Sequence, residues 1–330
     1  MVDTYTVILG IILVLIATPM FNLALVFQKM GLREGPEINF DKGFVGVLKT
    51  FKEIAKNKWW LLGAILGVIG WFPYIMSIGL VGFMVAEPIN SMGIIIVVIA
   101  ANRILGEKVT WYEFLAILVL AISPILIAFA GISEVAFDLY EMVIPLTIFL
   151  IITFSITIGC FVFSQKRKGT KFEGFFVMLT GSFFLAIGGI FTQVLAQAIV
   201  QANIQLTWYF GIEIFFGIFW FDYTHLWVFI GWWGLVICNI ASFAFYQSAF
   251  QKSKVAVVFP ILDSIGLSIP IIAGILVFKQ TFNNYFLFFL AIVLIFIGTS
   301  TLGRFQVDIK KMDGKESSTS IKRNETINPI

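Results

Sequence analysis

The stretch FPILDSIG at residues 259–266 repeats, in an imperfect form, the stretch EPINSMG at residues 87–93. Each contains a proline, then Asn or Asp, then Ser, a large apolar residue and Gly, and each lies inside a long apolar run. A proline removes one backbone donor from a helix and frees the carbonyl group four residues earlier. The two stretches therefore predict a proline-opened, polar helical turn in equivalent places of two related halves.

The composition around these stretches is typical of a membrane protein. Hydrophobic residues make up 59% of the 330 residues, and charged residues only 12%. A soluble domain of this length does not need so much apolar surface, so lipid is the expected solvent. The single histidine and the two cysteines form no Cys/His cluster, so we expect no zinc, haem or other resident cofactor.

Nine apolar runs are long enough to cross a bilayer, which takes about 20 helical residues. Each is expected to be an α-helix, because a helix satisfies its own backbone hydrogen bonds in lipid. The aromatic stretch 197–224 is interrupted, and we interpret it as interfacial, since a tenth span would move the C-terminal tail to the other side. The nine runs are 6–28, 58–80, 83–104, 111–130, 141–163, 174–196, 225–247, 255–278 and 285–303.

The basic residues indicate how these spans are oriented. An odd number of spans places the two termini on opposite sides of the membrane. With the N-terminus outside, 21 of the 22 Lys and Arg residues lie inside, and only Lys279 lies outside. Because basic residues concentrate in cytoplasmic loops, we expect an N-out, C-in protein, located in the cell membrane.

The directions of matching spans predict an inverted repeat. Spans 2, 3 and 4 run opposite to spans 7, 8 and 9, span 1 pairs with span 6, and span 5 inverts the second half. The fold class is therefore an all-α polytopic membrane protein of nine transmembrane helices in a 4+1+4 inverted repeat, an architecture of transporters. The aligned pairs of residues are Tyr74 with Tyr246, Pro88 with Pro260, and Ser91 with Ser264.

This arrangement divides the chain into four parts. Within the first part, residues 44–57 have the spacing of an amphipathic surface helix. The polar composition of the last part indicates disorder. The parts are the first repeat, 1–131, with a cytoplasmic loop at 29–57; a linking helix with a basic inner loop, 132–172; the second repeat, 173–303, with the outer segment 197–224; and a cytoplasmic tail, 304–330.

Polar residues inside the apolar spans are the candidate site residues, because such groups are costly in lipid and mark substrate or ion pathways. Asp263 lies about nine residues from the inner end of its span, near the bilayer midplane, whereas Glu87 is closer to the outer surface. The predicted pathway residues are Thr18, Asn22, Tyr74, Glu87, Pro88, Asn90, Ser91, Asn239, Tyr246, Pro260, Asp263 and Ser264.

Each of these residues also has a structural interpretation. A proline can simply kink a helix, Asn and Ser side chains can bridge helices, and mid-span aromatic rings are often packing residues. Gly93 and Gly266 are better explained by close helix packing than by ligand contact. We expect Glu107, Glu113 and Glu173 to lie at inner helix ends in water, where they need no function.

The sequence lacks the common motifs of soluble enzymes. It contains neither GxxxxGK[ST] nor HExxH, and its one histidine, His225, is expected at the outer interface. We therefore expect no enzymatic activity and no nucleic-acid partner. The expected partners are the lipid bilayer and a small solute or cation, with a homodimer as an open alternative.

Several of these segments resemble a known group of proteins. They are FQKMGL (27–32), KNKWWLLGAILGVIGW (56–71), RILGEKVTWYE (103–113), LVFKQTFNNY (276–285) and the two proline-centred helices. With them, residues 6–303 resemble the drug/metabolite transporter superfamily, whose members include EamA-like proteins, and most of all its NIPA-type magnesium transporters. In that superfamily a Gly-Glu or Lys-Glu pair commonly follows the proline-containing helix. Gly106-Glu107 fits this pattern, but Lys279-Gln280 in the second half departs from it.

The resemblance implies a nine-span transporter of Mg²⁺ or a related divalent cation. Mg²⁺ prefers carboxylate oxygens and retains several waters, so Glu87 and Asp263 are the candidate metal ligands, with Mg²⁺ as cargo. The same residues also suit a proton-coupled carrier of a small organic metabolite or drug. A membrane scaffold or receptor that transports nothing is the third alternative.

Overall fold

The computed structural model describes residues 4–81, 86, 89–90, 92–131, 138–204 and 210–302. Eleven α-helices whose first and last residues are both described, and two short 3₁₀ turns, lie in these ranges. The 3₁₀ turns are Phe40–Lys42 and Gly217–Trp220. The helices are α1 (Thr4–Arg33), α2 (Gly43–Ile54), α3 (Lys58–Val81), α4 (Ile94–Leu105), α5 (Trp111–Ala130), α6 (Leu139–Lys166), α7 (Lys171–Gln201), α8 (Phe210–Phe216), α9 (Tyr223–Lys252), α10 (Val255–Leu276) and α11 (Tyr285–Leu302).

Six helices in the described part of the chain are long and apolar enough to cross a membrane. They expose large apolar side chains on their outer faces, such as Ile144 on α6 and Phe296 on α11. A water-soluble protein does not expose a surface of this kind. The protein is therefore an all-helical, multi-pass membrane protein. The six segments are Ile8–Arg33, Leu139–Lys166, Phe172–Gln201, Tyr223–Lys252, Val255–Leu276 and Tyr285–Leu302.

The other three predicted spans fall on α3, α4 and α5. Helices α3 and α5 match their apolar runs closely. The run predicted at 83–104 contains a turn at Met92 and Gly93, and α4 begins only at Ile94. Residues 83–85, 87–88 and 91 of this run lie outside the described residues, as does the predicted tail 304–330. The count of nine membrane-crossing helices stays a prediction.

Contacts between helix termini define two ends of the bundle. At one end the ammonium group of Lys29 donates to the carbonyl oxygen of Ser253 at 2.7 Å. At the other end the backbone N–H of Asn283 donates to the carbonyl oxygen of Gly131 at 3.0 Å. The ion pairs Lys254–Glu113 and Lys168–Asp41 lie at the first end and Lys279–Glu141 at the second, so long helices that follow one another in the chain run in opposite directions. We call the first the basic end, because it holds the Lys and Arg residues predicted to lie inside, and the second the acidic end.

Two antiparallel helix pairs form the most extensive contacts in the molecule: α1 with α3, and α7 with α9. Both pairs depend on glycine for their close approach. A Cβ atom on Gly63 of α3 would lie 2.5 Å from the carbonyl oxygen of Ala24, and one on Gly231 of α9 would lie 2.9 Å from Cα of Leu195. Helix α1 also contacts α4, and α7 contacts α10. Helices predicted to be equivalent therefore have equivalent neighbours.

The predicted amphipathic helix is confirmed as α2, which covers residues 43–54. Its buried residues Val47 and Ile54 join the main apolar core. The ring centroid of Phe51 lies 6.4 Å from that of Trp60 and 5.6 Å from that of Phe243. Helix α2 therefore packs across the junction of α3 and α9.

The aromatic stretch predicted to be interfacial contains the last turn of α7, then α8 and a 3₁₀ turn, while residues 205–209 lie outside the described residues. The seven residues of α8 are too few to cross a bilayer. The helix is attached to α9, because Nε1 of Trp233 donates to the carbonyl oxygen of Phe215 at 3.2 Å. Phe219 and Phe221 on this segment are exposed.

Candidate functional site

The first group of predicted site residues lies where α1 meets the turn before α4. Thr18 and Asn22 are buried, and each donates to a carbonyl oxygen of its own helix: the Thr18 hydroxyl to Val14 and the Asn22 amide to Thr18, both at 2.7 Å. A Cβ atom on Gly93 would lie 2.1 Å from Nδ2 of Asn22 and 2.5 Å from Cγ2 of Thr18. The structure therefore brings Thr18 and Asn22 against the turn that follows Asn90, and Gly93 has the packing role expected of it.

Two amide oxygens in this region have no hydrogen-bond partner among the residues that the structure describes. They are the buried Oδ1 atoms of Asn22 and Asn90. The nitrogen of the Asn22 amide donates to Thr18, so the oxygen is the atom left over. A buried acceptor without a partner costs about 1–3 kcal/mol, and native proteins keep few of them. These two oxygens are therefore suited to receive a cation or a hydrogen-bond donor from a ligand.

Three aromatic rings from α1 and α3 contact one another around Phe21, the residue before Asn22. The centroids of Phe21 and Trp71 are 5.9 Å apart, those of Phe21 and Tyr74 are 5.6 Å apart, and those of Trp71 and Tyr74 are 5.9 Å apart. All three contacts are edge to face, an arrangement that aromatic side chains prefer. Tyr74, one of the predicted site residues, is buried within this group of rings.

The second group of predicted site residues lies on α10. This helix continues without interruption through Pro260 and Pro270, so the proline-opened turn expected here is absent. Pro260 is only the sixth residue of the helix, and it removes a single backbone bond there. Asp263 is half-buried. The hydroxyl of Ser264 donates to the carbonyl oxygen of Pro260 at 2.6 Å, which engages it within its own helix.

Helices α7 and α9 contribute two further amides: Gln193 contacts α10, and Asn239 lies against Gly188 of α7. Nε2 of Gln193 donates to the carbonyl oxygen of Pro270 at 3.3 Å, and its buried Oε1 has no partner in the described part of the chain. Nδ2 of Asn239 donates to the carbonyl oxygen of Leu235 at 2.9 Å, and it would lie 2.7 Å from a Cβ atom on Gly188. The second half therefore also contains a buried amide oxygen without a partner, contributed by Gln193.

Some of the predicted residues do not come together. Tyr74 belongs to a small cluster with α1, whereas Tyr246 packs beside the main core, where its ring centroid is 5.4 Å from that of Phe250. Glu87, Pro88 and Ser91 lie outside the described residues, so a shared Glu87–Asp263 site stays a prediction. Within the described ranges there is no group of three or more His, Cys, Asp or Glu side chains able to hold a metal ion.

Sequence reasoning missed a buried ionic cluster at the basic end. The carboxylate of Glu107 accepts hydrogen bonds from the backbone N–H groups of Val255 at 3.2 Å and Ala256 at 3.4 Å, and so caps α10. Glu113 is 0% exposed and accepts a hydrogen bond from Nζ of Lys254 at 3.1 Å. The expectation that Glu107 and Glu113 lie in water is therefore wrong.

The burial of the Glu107 carboxylate is explained by the start of α10, which this carboxylate caps. The first N–H groups of a helix have no intrahelical partner and form the positive end of its dipole, so they attract a carboxylate. Gly106 ends α4 with φ of 67°, a left-handed conformation that glycine adopts readily, and Glu107 follows it directly. The Gly106-Glu107 pair and the position of Lys254 just before an apolar run were the available signals.

A chain of three buried side chains also joins the first half to α9. Nε1 of Trp60 donates to Oε1 of Gln247 at 3.1 Å, and Nε2 of Gln247 donates to Oε1 of Gln28. The three residues belong to α3, α9 and α1. The basic end is therefore closed by polar contacts from both halves.

No model of a protein family matches this chain, and no curated protein or solved structure matches it either. The resemblance to the drug/metabolite transporters therefore depends on the sequence segments described above.

The two groups of site residues have a common chemical character. Asn22, Asn90 and Gln193 each leave an oxygen without a partner, and Asp263 supplies a carboxyl group. Amide and carboxylate oxygens accept hydrogen bonds and coordinate hard cations. The arrangement therefore suits a solute that is positively charged or rich in donors better than it suits an anion.

Proposed function

We propose that this protein is a transporter that moves a small solute across the membrane by alternating access. The observation that carries the proposal is the presence of buried amide oxygens without partners in both halves: Asn22 and Asn90 in the first, and Gln193 in the second. Each of these oxygens costs about 1–3 kcal/mol until it receives a donor or a cation, so a solute that supplies one is bound favourably. Inverted-repeat transporters bind their substrates at polar positions of this kind, between the two repeats.

The proposed topology has nine spans, N-out and C-in, in a 4+1+4 inverted repeat in the cell membrane. It is supported by the equivalent neighbours of α1 and α7, and by the alternating directions of the long helices. The confinement of nearly all Lys and Arg residues to one side of the predicted spans supports the orientation.

The buried contacts at the basic end are the proposed inner gate. Glu107 of the α4–α5 loop holds the start of α10, and Glu113 of α5 pairs with Lys254. Lys29 of α1 adds a hydrogen bond to the carbonyl oxygen of Ser253. Contacts of this type are discrete and reversible, so the gate opens when α10 moves away from the first half.

Mg²⁺ is the first cargo we propose. The resemblance to the NIPA-type transporters supports it, as do the oxygen atoms of the candidate site, since Mg²⁺ takes oxygen ligands. A partly hydrated Mg²⁺ ion needs only one or two carboxylates from the protein. In this proposal Asp263 and Glu87 bind the ion on its path.

Vesicles that contain the reconstituted full chain and a Mg²⁺-sensitive dye test this proposal. We expect Mg²⁺ uptake by the wild-type protein and its loss in Asp263→Asn and Glu87→Gln. Glu141→Gln is the matched control, because this exposed carboxylate pairs with Lys279 at 2.7 Å at the acidic end. Uptake that persists in both variants would remove the two carboxylates from the mechanism, and the absence of flux for every solute would favour a scaffold or receptor.

A proton-coupled carrier of a small organic cation is the second candidate. The specific observation in its favour is the mutual contact of the Phe21, Trp71 and Tyr74 rings on α1 and α3, since aromatic faces attract organic cations. Uptake of ethidium driven by an imposed pH gradient, without Mg²⁺ flux, would support this candidate. Tyr74→Ala is then expected to lower ethidium uptake about tenfold, as expected for the loss of about 1.4 kcal/mol of binding.

A further inference from the structure

Helix α2 has a fixed position at the basic end. It lies between the end of α1 and the start of α3, and both of these termini are at that end of the bundle. An ion pair between Asp41 and Lys168 ties the turn before α2 to the α6–α7 loop. After α2, Nδ2 of Asn57 donates to Oε2 of Glu34 at 2.9 Å. The helix is therefore fixed at the basic end of the bundle, the end predicted to lie at the inner surface of the bilayer.

One edge of α2 is apolar but uncovered. Phe44 is 69% exposed, Val45 is 63% exposed and Leu48 is 51% exposed, although the neighbouring residue Val47 is fully packed in the core. Phe44 and Leu48 are four residues apart, so they share one face of the helix. An apolar edge of this kind on a helix at the membrane surface reaches into the boundary between headgroups and acyl chains.

A basic strip lies beside this apolar edge. Lys49 and Lys52 are exposed and three residues apart, which places them on one face. Neither forms an ion pair with any residue that the structure describes. Lys56 continues the strip by one turn, but it is paired with Glu53 at 2.6 Å. The strip therefore carries two uncompensated positive charges next to exposed apolar side chains.

We propose that α2 is a binding surface for anionic phospholipids of the bilayer leaflet at the basic end. The ammonium groups of Lys49 and Lys52 bind the headgroup phosphates, while Phe44 and Leu48 enter the acyl region of the same leaflet. An anionic phospholipid complements both the positive charge of the strip and the apolar edge next to it. A neutral lipid complements only the apolar edge. This surface is separate from the proposed transport site.

Titration of the purified full chain in detergent with phosphatidylglycerol and with phosphatidylcholine, followed by native mass spectrometry, tests the proposal. We expect tighter binding of phosphatidylglycerol. The double change Lys49→Gln and Lys52→Gln is expected to weaken that binding by about fivefold for each lysine, as expected for one charge near a lipid headgroup. Phosphatidylcholine binding is expected to stay unchanged.

The matched control is the double change Lys166→Gln and Arg167→Gln. These residues are also exposed at the basic end, and their replacement removes the same charge outside α2. Equal weakening in both double variants, or equal affinity of the wild-type chain for the two lipids, would overturn the proposal. So would conversion of a dimer to a monomer in the α2 variant with unchanged phosphatidylglycerol binding, because the face would then belong to a second copy of the chain.

A variant with the opposite effect keeps the test decisive if the double variant does not fold. Glu53→Gln removes the partner of Lys56 and adds one net positive charge to α2. We expect it to bind phosphatidylglycerol about fivefold more tightly than the wild-type chain. Unchanged or weaker binding in this variant contradicts the proposed surface.

Discussion

Asn22 shows how one buried side chain can serve both the fold and the site. Its amide nitrogen is engaged by Thr18 in the same helix, while its amide oxygen has no partner. The carbonyl group of Thr18 is part of helix α1, so the stability of that helix does not depend on the additional hydrogen bond from Asn22. The unpartnered oxygen is different, because it destabilises the protein until a donor or a cation reaches it.

Replacement of Asn22 by Leu separates these two roles. Leu has nearly the same shape but lacks the acceptor, so we expect the melting temperature to stay equal or rise slightly. If Asn22 receives the cargo, Mg²⁺ uptake into vesicles falls at least tenfold. Thr147→Val on the exposed face of α6 is the control, since it also deletes a side-chain bond to the helix backbone. Normal uptake by Asn22→Leu would remove this oxygen from the pathway.

The Glu113–Lys254 pair lets the energy of the proposed gate be measured. Lys254→Met leaves a fully buried carboxylate without its cation. Loss of one partner of a buried pair costs about 3–5 kcal/mol, and we expect the lower part of this range because the Lys254 side chain is 20% exposed. The double change Lys254→Met with Glu113→Leu is expected to recover most of the lost thermal stability. A double variant less stable than either single variant would contradict a direct ion pair.

At the scale of the elements, glycine sets how closely α1 and α3 pack. Gly63→Ala places a Cβ atom 2.5 Å from the carbonyl oxygen of Ala24, an overlap that the backbone cannot avoid without moving. We expect a loss of about 1–3 kcal/mol and a lower melting temperature. Gly159→Ala in α6 is the matched control, because no atom lies within 4 Å of its added Cβ and alanine favours helix by up to about 1 kcal/mol. Similar melting temperatures for the two variants would contradict the close approach of α3 to the carbonyl oxygen of Ala24 at Gly63.

The two proline-containing stretches illustrate what a local pattern does and does not predict. Both were expected to open a turn, yet α10 is continuous through Pro260, whereas Met92 and Gly93 form a turn before α4. The proline pattern is the same in both halves. The tertiary contacts of the two described segments differ: Glu107 caps the first N–H groups of α10, whereas Asn22 and Thr18 pack on the turn at Gly93.

At the scale of the whole molecule, the proposed nine-span topology predicts termini on opposite sides of the membrane. A protease-cleavable tag at the N-terminus is expected to be cut in intact cells, and the same tag at the C-terminus only after the cells are opened. A tag inserted near Asp41 is the internal control, since this position belongs to the predicted inner loop. Cleavage of both terminal tags in intact cells would contradict an odd number of spans.

The sequence by itself determined the class of the protein and the positions of its long helices. Continuous apolar runs in lipid must be helical, and their length alone fixes their approximate bounds. It also identified Thr18, Asn22 and Asn90 as candidate pathway residues, because polar groups are rare inside such runs. Only the tertiary structure decided which helices meet. The capping of α10 by Glu107, the burial of Glu113 beside Lys254, and the link from Trp60 through Gln247 to Gln28 all join residues more than 140 positions apart. Local periodicity holds no information about such contacts, because they depend on the relative placement of whole helices.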